Sequence, residues 1–243
     1  MRLKIVENRE IAKDTFLLKV ENPALFEVFP GQFFMIKINE FNYPLLRRPF
    51  SVAGFSDTID FIYRVVGEGT SILSKKRVGE FMDFLGPLGN GFKINSTKRL
   101  ILVGGGVGVA PLIYLKDVIE NKYRVSCEAY FGFNSREEVF TKSGFISTMD
   151  GSYGFRGTAV DMVQDKLDGD SLIFACGPLP MMKKLALLSF EYGCSMQVSL
   201  ESRMACGIGV CLGCVVETVD GNFKRVCVEG PVFDFEEIQW QEM

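Results

Sequence analysis

Hydrophobic and polar positions alternate over short stretches in the first part of the chain. Strand-like runs occur at "TFLLKVEN", "GQFFMIKI", "RRPFSVAGF" and "TIDFIYRVV", separated by turn residues such as Asn22-Pro23 and Pro30-Gly31. Several short strands at this spacing predict a small antiparallel barrel over residues 1–96. One helix interrupts these strands in "GEGTSILSKKRVGE", where Thr70 is the predicted N-cap residue.

From Lys98 onward, buried strands alternate with helices. "RLILVGGGVGVAPLIYLKDVIE" has the pattern of a strand, a glycine-rich turn and a helix, and "RVSCEAYFGF" that of the next strand. "SLIFACGP" is a later strand, followed by the helix "LPMMKKLALLSFEYG". This alternation predicts a Rossmann-like α/β domain with a parallel sheet over residues 97–195. Residues 196–243 open with the strand-like "MQVSLESR" and form a third, small C-terminal module with a cysteine-rich loop.

Composition narrows the chemistry that this chain can perform. The 243 residues include no histidine, which excludes His-activated nucleophiles, His–zinc catalytic sites, Rieske centres and His-ligated haem. A net charge of −3 without a Lys/Arg run argues against a nucleic-acid partner. The N-terminus has no signal-peptide pattern, and no apolar run reaches the roughly 18 residues of a membrane span. We therefore expect no membrane association and a cytoplasmic protein, in which clustered cysteines bind metal.

The glycine-rich turn is the first candidate site. Gly104–Gly106 and Gly108 lie between a strand and a helix, where a bare backbone lets a pyrophosphate approach the helix N-terminus. The spacing departs from G-x-G-x-x-G, because Val109 occupies the place of the third glycine. No acidic residue follows the next strand, since Glu128 lies inside it. On these residues alone, a nucleotide site and a plain tight turn both remain open.

Two further motifs favour a cofactor site. In "RRPFS", Arg47 to Ser51, a guanidinium suited to phosphate and a hydroxyl lie together on a strand. "CGP", Cys176 to Pro178, ends a buried strand at the carboxyl edge of the sheet, where open α/β sheets bind ligands. Taken singly, the first motif could be an exposed Arg-Pro turn and the second a buried thiol.

Three cysteines in "RMACGIGVCLGC" have the spacing C-x4-C-x2-C, and twelve residues separate the third of them from Cys227. The first three match the plant-type [2Fe–2S] spacing, in which four thiolates hold two irons. A four-cysteine zinc site is the main alternative, although zinc ribbons usually pair two C-x2-C knuckles. A disulfide pair is a weaker alternative in a reducing compartment. We read Cys127 and Cys194 as plain thiols.

The motifs R-P-x-S, G-x-G-T, G-G-G-x-G-x-A-P and C-G-P occur in this order, and residues 1–195 thereby resemble the ferredoxin-reductase-like flavoproteins. The resemblance implies an FAD-binding barrel followed by an NAD-binding domain. At the FAD it would place Arg48, Pro49, Phe50, Ser51, Ile62, Tyr63, Arg64, Gly69 and Thr70, the last two at the pyrophosphate. At the nicotinamide nucleotide it would place Gly105, Gly106, Cys176, Gly177 and Pro178.

With "ESRMACGIGVCLGC" and "VCVEGPVF" included, the whole chain resembles the electron transfer subunits of NAD-dependent bacterial dihydroorotate dehydrogenases. This resemblance implies a 2Fe–2S cluster held by Cys206, Cys211, Cys214 and Cys227. It also implies electron transfer through that cluster and FAD to NAD, in pyrimidine biosynthesis. The partner would be an FMN-containing catalytic subunit that oxidises dihydroorotate to orotate, in a heterotetramer of two plus two chains.

Two other functions stay open at this point. One is the small subunit of an NADPH:ferredoxin oxidoreductase, a family in which an aspartate takes one ligand position. The other is a non-enzymatic, zinc-bearing partner protein with a vestigial nucleotide fold.

Overall fold

A computed structural model describes residues 1–23, 26–39, 43–95 and 97–241. The first part of the chain contains the strands β1 (Arg2–Ala12), β2 (Thr15–Glu21), β3 (Phe33–Lys37), β4 (Arg48–Phe55), β5 (Thr58–Arg64) and β6 (Phe81–Leu88). They form a closed antiparallel barrel in the order β1-β2-β5-β4-β3-β6, which confirms the predicted barrel. Helix α1 (Glu68–Ser74) connects β5 to β6.

The barrel interior is built by alternation along each strand. In β5, Ile59, Phe61 and Tyr63 are buried, whereas the residues between them are half-buried. Phe61 packs inside the barrel with Phe34 of β3 and with Val52, its partner in β4. Because successive side chains point to opposite faces, the residues next to them in sequence point outward. The barrel therefore has an apolar interior and a second, outward face that is free to contact the rest of the chain.

Helix α1 begins earlier than the sequence predicts. Gly67 is the N-cap, and Thr70 lies at the third helical position. The Thr70 hydroxyl reaches back and accepts hydrogen bonds from the backbone N–H of Val66 at 3.0 Å and of Gly67 at 3.2 Å. The prediction of Thr70 as N-cap is wrong, because a glycine supplies the extended cap while the threonine side chain closes the first turn from inside the helix.

The second sheet contains β7 (Arg99–Gly105), β8 (Cys127–Phe133), β9 (Phe145–Thr148), β10 (Phe155–Arg156), β11 (Ser171–Cys176) and β12 (Ser195–Ser199). Its helices are α2 (Val109–Asp117), α3 (Ala159–Val163) and α4 (Leu179–Tyr192). The strands pair in parallel in the order β10-β9-β8-β7-β11-β12, which confirms the predicted parallel sheet. The carboxyl ends of β7 and β11 are therefore neighbours.

The C-terminal residues form a hairpin and return to the sheet. Strands β13 (Val215–Glu217) and β14 (Phe223–Arg225) pair with each other, and β15 (Val232–Asp234) pairs antiparallel with β12. Asn90, which follows β6, donates its backbone N–H to Gly230 O at 2.6 Å and its side-chain amide to Glu229 O at 2.7 Å. These bonds fix the cysteine-bearing segment to the barrel. Among the described residues, no helix is both long and apolar enough to span a bilayer.

Candidate functional site

Four of the predicted flavin residues lie on the outward face of the barrel. Val52 of β4 and its partner Phe61 of β5 are buried in the barrel interior. Ser51 precedes Val52 and Ile62 follows Phe61, so both point outward. By the same alternation Pro49 and Arg64 share this outward face. These four residues are Pro49, Ser51, Ile62 and Arg64.

Tyr63 and Phe50 point the other way. Tyr63 is buried inside the barrel, where its hydroxyl donates to Asn8 Oδ1 at 3.0 Å and its ring lies 5.7 Å from that of Phe50. Burial raises the pKa of the Tyr63 hydroxyl. The structure therefore does not bring the Tyr63 side chain together with the outward-facing set, and Tyr63 supports the strand from within.

Arg48 reaches the start of α1. A β-carbon at Gly69 would lie 2.7 Å from Arg48 Nε, so the guanidinium packs directly over this glycine. The neighbouring Arg47 has a different role, because it pairs with Asp83 of β6 and donates to the Asp83 carbonyl at 2.9 Å. Of the two arginines in the motif, Arg48 is thus the one held beside Gly69 and Thr70.

A cavity of about 740 Å³ lies at the carboxyl edge of the parallel sheet. The turn after β7 and the turn after β11 form its floor, with Gly105, Gly106, Gly177 and Pro178 in the lining. These two turns touch backbone to backbone, since a β-carbon at Gly108 would lie 2.6 Å from the Gly177 Cα. Gly106 has a φ of +54° and open space beside it, so its backbone faces the cavity.

Cys176 is buried beneath this floor and does not line the cavity. Complete burial raises the pKa of its thiol, so the group stays neutral. Its contribution to a ligand in the cavity therefore comes from the turn that it begins and not from an accessible sulfur.

Two charged residues of the cavity wall, Lys184 and Glu201, were not identified from the sequence. Lys184 of α4 lines the cavity and pairs with Asp161 at 2.7 Å, and Glu201 lines it just after β12. Desolvation raises the pKa of the Glu201 carboxyl. Arg64 enters the wall from the barrel and pairs with Glu138 of the sheet domain at 2.8 Å. Glu201 could have been found by the reasoning used for "CGP", because it too follows a strand at the carboxyl edge.

The four motif cysteines come together as two pairs. The Cys206 and Cys211 thiols lie close enough to interact, as do those of Cys214 and Cys227, and Cys206 acts more weakly on Cys227. Pairing of β13 with β14 brings the second pair together, and the Val226 N–H donates to Cys214 O at 2.9 Å. Each of the seven cysteines, all of which lie in the described part of the chain, is a free thiol.

This arrangement fits a binuclear cluster with two thiolates on each iron. A single zinc would need four sulfurs at about 2.3 Å around one point. Within the described ranges, no group of three or more Cys, His, Asp or Glu side chains is placed to hold one metal ion. The two pairs of thiols agree with the iron–sulfur interpretation of the cysteine motif.

Backbone N–H groups point at the sulfurs. Gly209 N–H donates to Cys227 Sγ at 3.2 Å, and Ile208 N–H donates to Cys206 Sγ at 3.5 Å. Donation from the backbone of Ile208, Cys211 and Val210 lowers the pKa of the Cys206 thiol to about 6, whereas burial raises the pKa of Cys227 to about 11. Such donors stabilise the thiolates that ligate a cluster.

The loop that carries these cysteines lies between the barrel and the solvent. Gly207, next to Cys206, contacts Met35 of β3. On the other side Ile208, Val210 and Leu212 are 52%, 75% and 60% exposed. The cysteine loop therefore presents an exposed apolar surface.

The barrel, the parallel sheet and the cysteine module define a ferredoxin-reductase-like oxidoreductase with an iron–sulfur binding module. Residues 201–239 match the family model described as the iron-sulfur cluster binding domain of dihydroorotate dehydrogenase B. The chain is 40% identical to the dihydroorotate dehydrogenase B (NAD(+)) electron transfer subunit of Shouchella clausii, with 98% of this chain and 97% of that protein covered. The corresponding subunit of Caldanaerobacter subterraneus is 38% identical, with 98% of each chain covered.

Among solved structures, that of an NADH-dependent reduced ferredoxin-NADP oxidoreductase superimposes with a TM-score of 0.84. It is 31% identical, with 99% of this chain and 90% of that chain covered. The chain belongs to the family of dihydroorotate dehydrogenase B (NAD(+)) electron transfer subunits, and it is the electron-transfer component of an oxidoreductase.

Proposed function

We propose that this chain carries electrons between a catalytic subunit, which oxidises dihydroorotate to orotate, and NAD. The net reaction removes two electrons and two protons from dihydroorotate; NAD⁺ takes up both electrons and one proton as a hydride, and the other proton is released to solvent. FAD supplies the exchange between a hydride and single electrons, and the 2Fe–2S cluster supplies the passage of single electrons. The chain's own residues hold and orient these groups.

One relationship carries this proposal: the flavin face of the barrel and the cysteine loop are neighbours. Pro49 lies directly opposite Met35 in the β3–β4 pair, and Met35 contacts Gly207 beside Cys206. Adjacent strands are about 4.8 Å apart, so a flavin on this face would lie close to a cluster in the loop. Such proximity is what electron transfer between the two groups requires.

At the flavin, we assign a separate role to each part of the site. The outward residues Ser51 and Ile62 form the wall, and Arg48 supplies a cation beside Gly69 and Thr70. Arg48, Gly69 and Thr70 together would hold the anionic pyrophosphate of FAD, with Thr70 fixing the turn. Phe50 and Tyr63 stiffen the wall from the barrel interior.

At the nicotinamide nucleotide, the two glycine turns at the carboxyl edge provide the floor. Gly105 and Gly106 would approach the pyrophosphate without steric hindrance, while Gly177 and Pro178 would face the nicotinamide. Cys176 anchors the second turn as a buried thiol. No side-chain acid or base would be needed here, because the chemistry that the two bound groups would supply is a direct hydride exchange.

At the cluster, Cys206 with Cys211 would bind one iron and Cys214 with Cys227 the other. This assignment follows the two pairs that the loop and the hairpin bring together. Residues 196–243 form the cluster module in the proposed division of the chain, after a barrel of residues 1–96 and a nucleotide domain of residues 97–195.

The catalytic partner would dock on the apolar surface around the cluster. Ile208, Val210 and Leu212 surround the cysteines on the solvent side. An exposed apolar patch at a redox centre both shortens the electron path and buries area on association. We further propose that the partner contains FMN, that two chains of each kind assemble, and that the complex is cytoplasmic. The free thiols agree with a reducing compartment.

An NADPH:ferredoxin oxidoreductase subunit remains the second candidate, favoured by the superposition on the ferredoxin-NADP oxidoreductase structure. The four cysteines Cys206, Cys211, Cys214 and Cys227 argue against it, because an aspartate takes one ligand position in that family. Purification from the native host separates the two, because the proposed function requires a dihydroorotate-oxidising subunit to co-purify. Co-purification of a ferredoxin-dependent large subunit, or a strong preference for NADPH over NADH, would favour the second candidate.

The proposal is tested on the anaerobically purified chain by metal analysis, flavin extraction and a visible spectrum. We expect about two irons and one FAD per chain, and NADH oxidation with artificial acceptors. Stoichiometric zinc, or a colourless protein, would contradict it.

A further inference from the structure

Arg225 connects the two cysteine-bearing segments. It ends β14, two residues before Cys227, and its Nη1 donates to the Gly209 carbonyl at 3.1 Å. Gly209 lies in the loop between Cys206 and Cys211. One side chain therefore joins the segment that carries Cys227 to the segment that carries the first pair of cysteines.

Glu229 holds Arg225 in this position. Its carboxylate accepts from the Arg225 backbone N–H at 2.8 Å and from Nε at 3.0 and 3.1 Å, and it also pairs with Nη2. The Glu229 carbonyl in turn accepts from the Asn90 side chain at 2.7 Å. Because the carboxylate occupies Nε and Nη2, Nη1 is directed at Gly209.

The bond to Gly209 O fixes a stretch of loop whose N–H groups face the cluster ligands. The N–H of Ile208, the residue before Gly209, donates to Cys206 Sγ at 3.5 Å. Gly209 also donates its own N–H to Cys227 Sγ at 3.2 Å. Both bonds therefore depend on how this stretch of loop is held.

No residue with a side chain can take the place of Gly209 in the contact with Arg225. It has a φ of +79°, and a β-carbon there would lie 2.7 Å from Val228 Cγ2 and 3.1 Å from Arg225 Nη1. The close approach of the guanidinium thus requires a glycine at this position.

We infer that Arg225 is a positioning residue that raises the reduction potential of the cluster, and that Glu229 limits this effect. Hydrogen bonds to the sulfurs and nearby positive charge both favour the reduced, more negative cluster. The Glu229 carboxylate offsets part of that charge. This inference rests on the proposed function, since it requires the cluster to be held by the four cysteines.

The test is a redox titration of the purified chain, followed by electron paramagnetic resonance. In this titration, dithionite reduces the cluster by one electron through redox mediators. Arg225→Gln removes the charge and the bond to Gly209, so its midpoint potential should shift downward. Glu229→Gln keeps an acceptor for Arg225 but removes the negative charge, so its potential should shift upward. Arg225→Lys keeps the charge without the fork and should shift less than Arg225→Gln.

Lys224→Gln is the matched control. Lys224 is the neighbouring residue of β14, faces the other side of the strand and pairs with Glu237, so removing its charge should leave the potential nearly unchanged. If Arg225→Gln loses the cluster altogether, Arg225→Lys and Glu229→Gln still show in which direction each charge shifts the midpoint potential.

The inference would be overturned if the Glu229→Gln variant and either Arg225 variant shifted the midpoint potential in the same direction. Shifts no larger than that of Lys224→Gln would also overturn it. Neither result would affect the proposed function. A wild-type chain without iron would overturn the proposed cluster, and this inference with it.

Discussion

Met35 of the barrel lies directly beneath Gly207 of the cysteine loop, where a β-carbon would be 2.5 Å from Met35 Cγ. Gly207 also has a φ of +73°, a conformation that side chains rarely adopt. The loop can therefore rest on the barrel only because this residue is a glycine. Since Met35 lies opposite Pro49, this contact also sets the separation between the cysteines and the proposed flavin face.

Gly207→Ala should destabilise the cluster loop and reduce the iron content. The left-handed conformation costs roughly 1–2 kcal/mol and the overlap with Met35 about 1–3 kcal/mol more. Gly221→Ala is the control, because Gly221 has a φ of +74° but nothing within 4 Å of its β-carbon position. Iron content and thermal unfolding are measured for both variants. Both carry the cost of the left-handed backbone, whereas only Gly207→Ala carries the cost of the overlap with Met35. Equal losses in the two would show that the contact with Met35 is unimportant.

Gly69→Ala should lower the FAD content. A β-carbon there would lie 2.7 Å from Arg48 Nε and push the guanidinium away from the start of α1. Gly67→Ala is matched to it, because Gly67 is in extended backbone and no atom lies within 4 Å of its β-carbon position. The ratio of flavin to protein absorbance measures both. FAD retained by Gly69→Ala at the level of Gly67→Ala would contradict the assignment of Arg48.

Alanine at Cys206, Cys211, Cys214 or Cys227 should abolish the paramagnetic signal of the reduced cluster. Alanine removes the sulfur, and the iron that it would bind would keep only one of its two thiolates. Alanine at Cys127 should leave the signal unchanged, since burial raises the pKa of that thiol to about 11 and holds it in the neutral form. An unaltered signal in Cys227→Ala would show that Cys227 is not a cluster ligand.

Leu212→Gly should separate docking from cluster binding. Leu212 is 60% exposed and has a φ of +57°, so a glycine relieves backbone strain of about 1–3 kcal/mol while deleting an apolar contact. We expect unchanged iron content but weaker binding to the catalytic subunit, measured by calorimetry. Ile208→Asp should weaken binding further, whereas Leu187→Asp, at an exposed position on α4, should not. Full affinity in Ile208→Asp would place the docking surface elsewhere.

Local patterns were sufficient to predict most of the fold. The apolar runs of β2, β3, β4 and β5, and the strand–turn–helix around Gly104–Gly106, each carry their signal within a few residues. Strand β1 has weaker alternation and mixes charged residues into "RLKIVENREIA", so its place in the barrel depends on pairing with β2 and β6. The start of α1 was misplaced because the hydroxyl of Thr70 can close a helix from the third position as well as from the cap.

The residue types and spacing in the sequence were enough to predict which kinds of site are present, but not how their side chains are arranged. The cysteine spacing indicates a cluster, but the division into two pairs depends on the β13–β14 hairpin. Likewise, the direction of Tyr63 depends on which face of β5 is buried, and the bond from Arg225 to Gly209 joins segments that are distant in sequence. Contacts of this kind are properties of the folded chain.

The most direct test of the central claim is dihydroorotate-dependent reduction of NAD by the complex reconstituted with the catalytic subunit. The wild-type chain should support this reaction. Cys214→Ala should abolish it, yet keep its FAD and still oxidise NADH with an artificial acceptor. NAD reduction at the wild-type rate by the Cys214→Ala complex, or by this chain alone with dihydroorotate, would contradict the account.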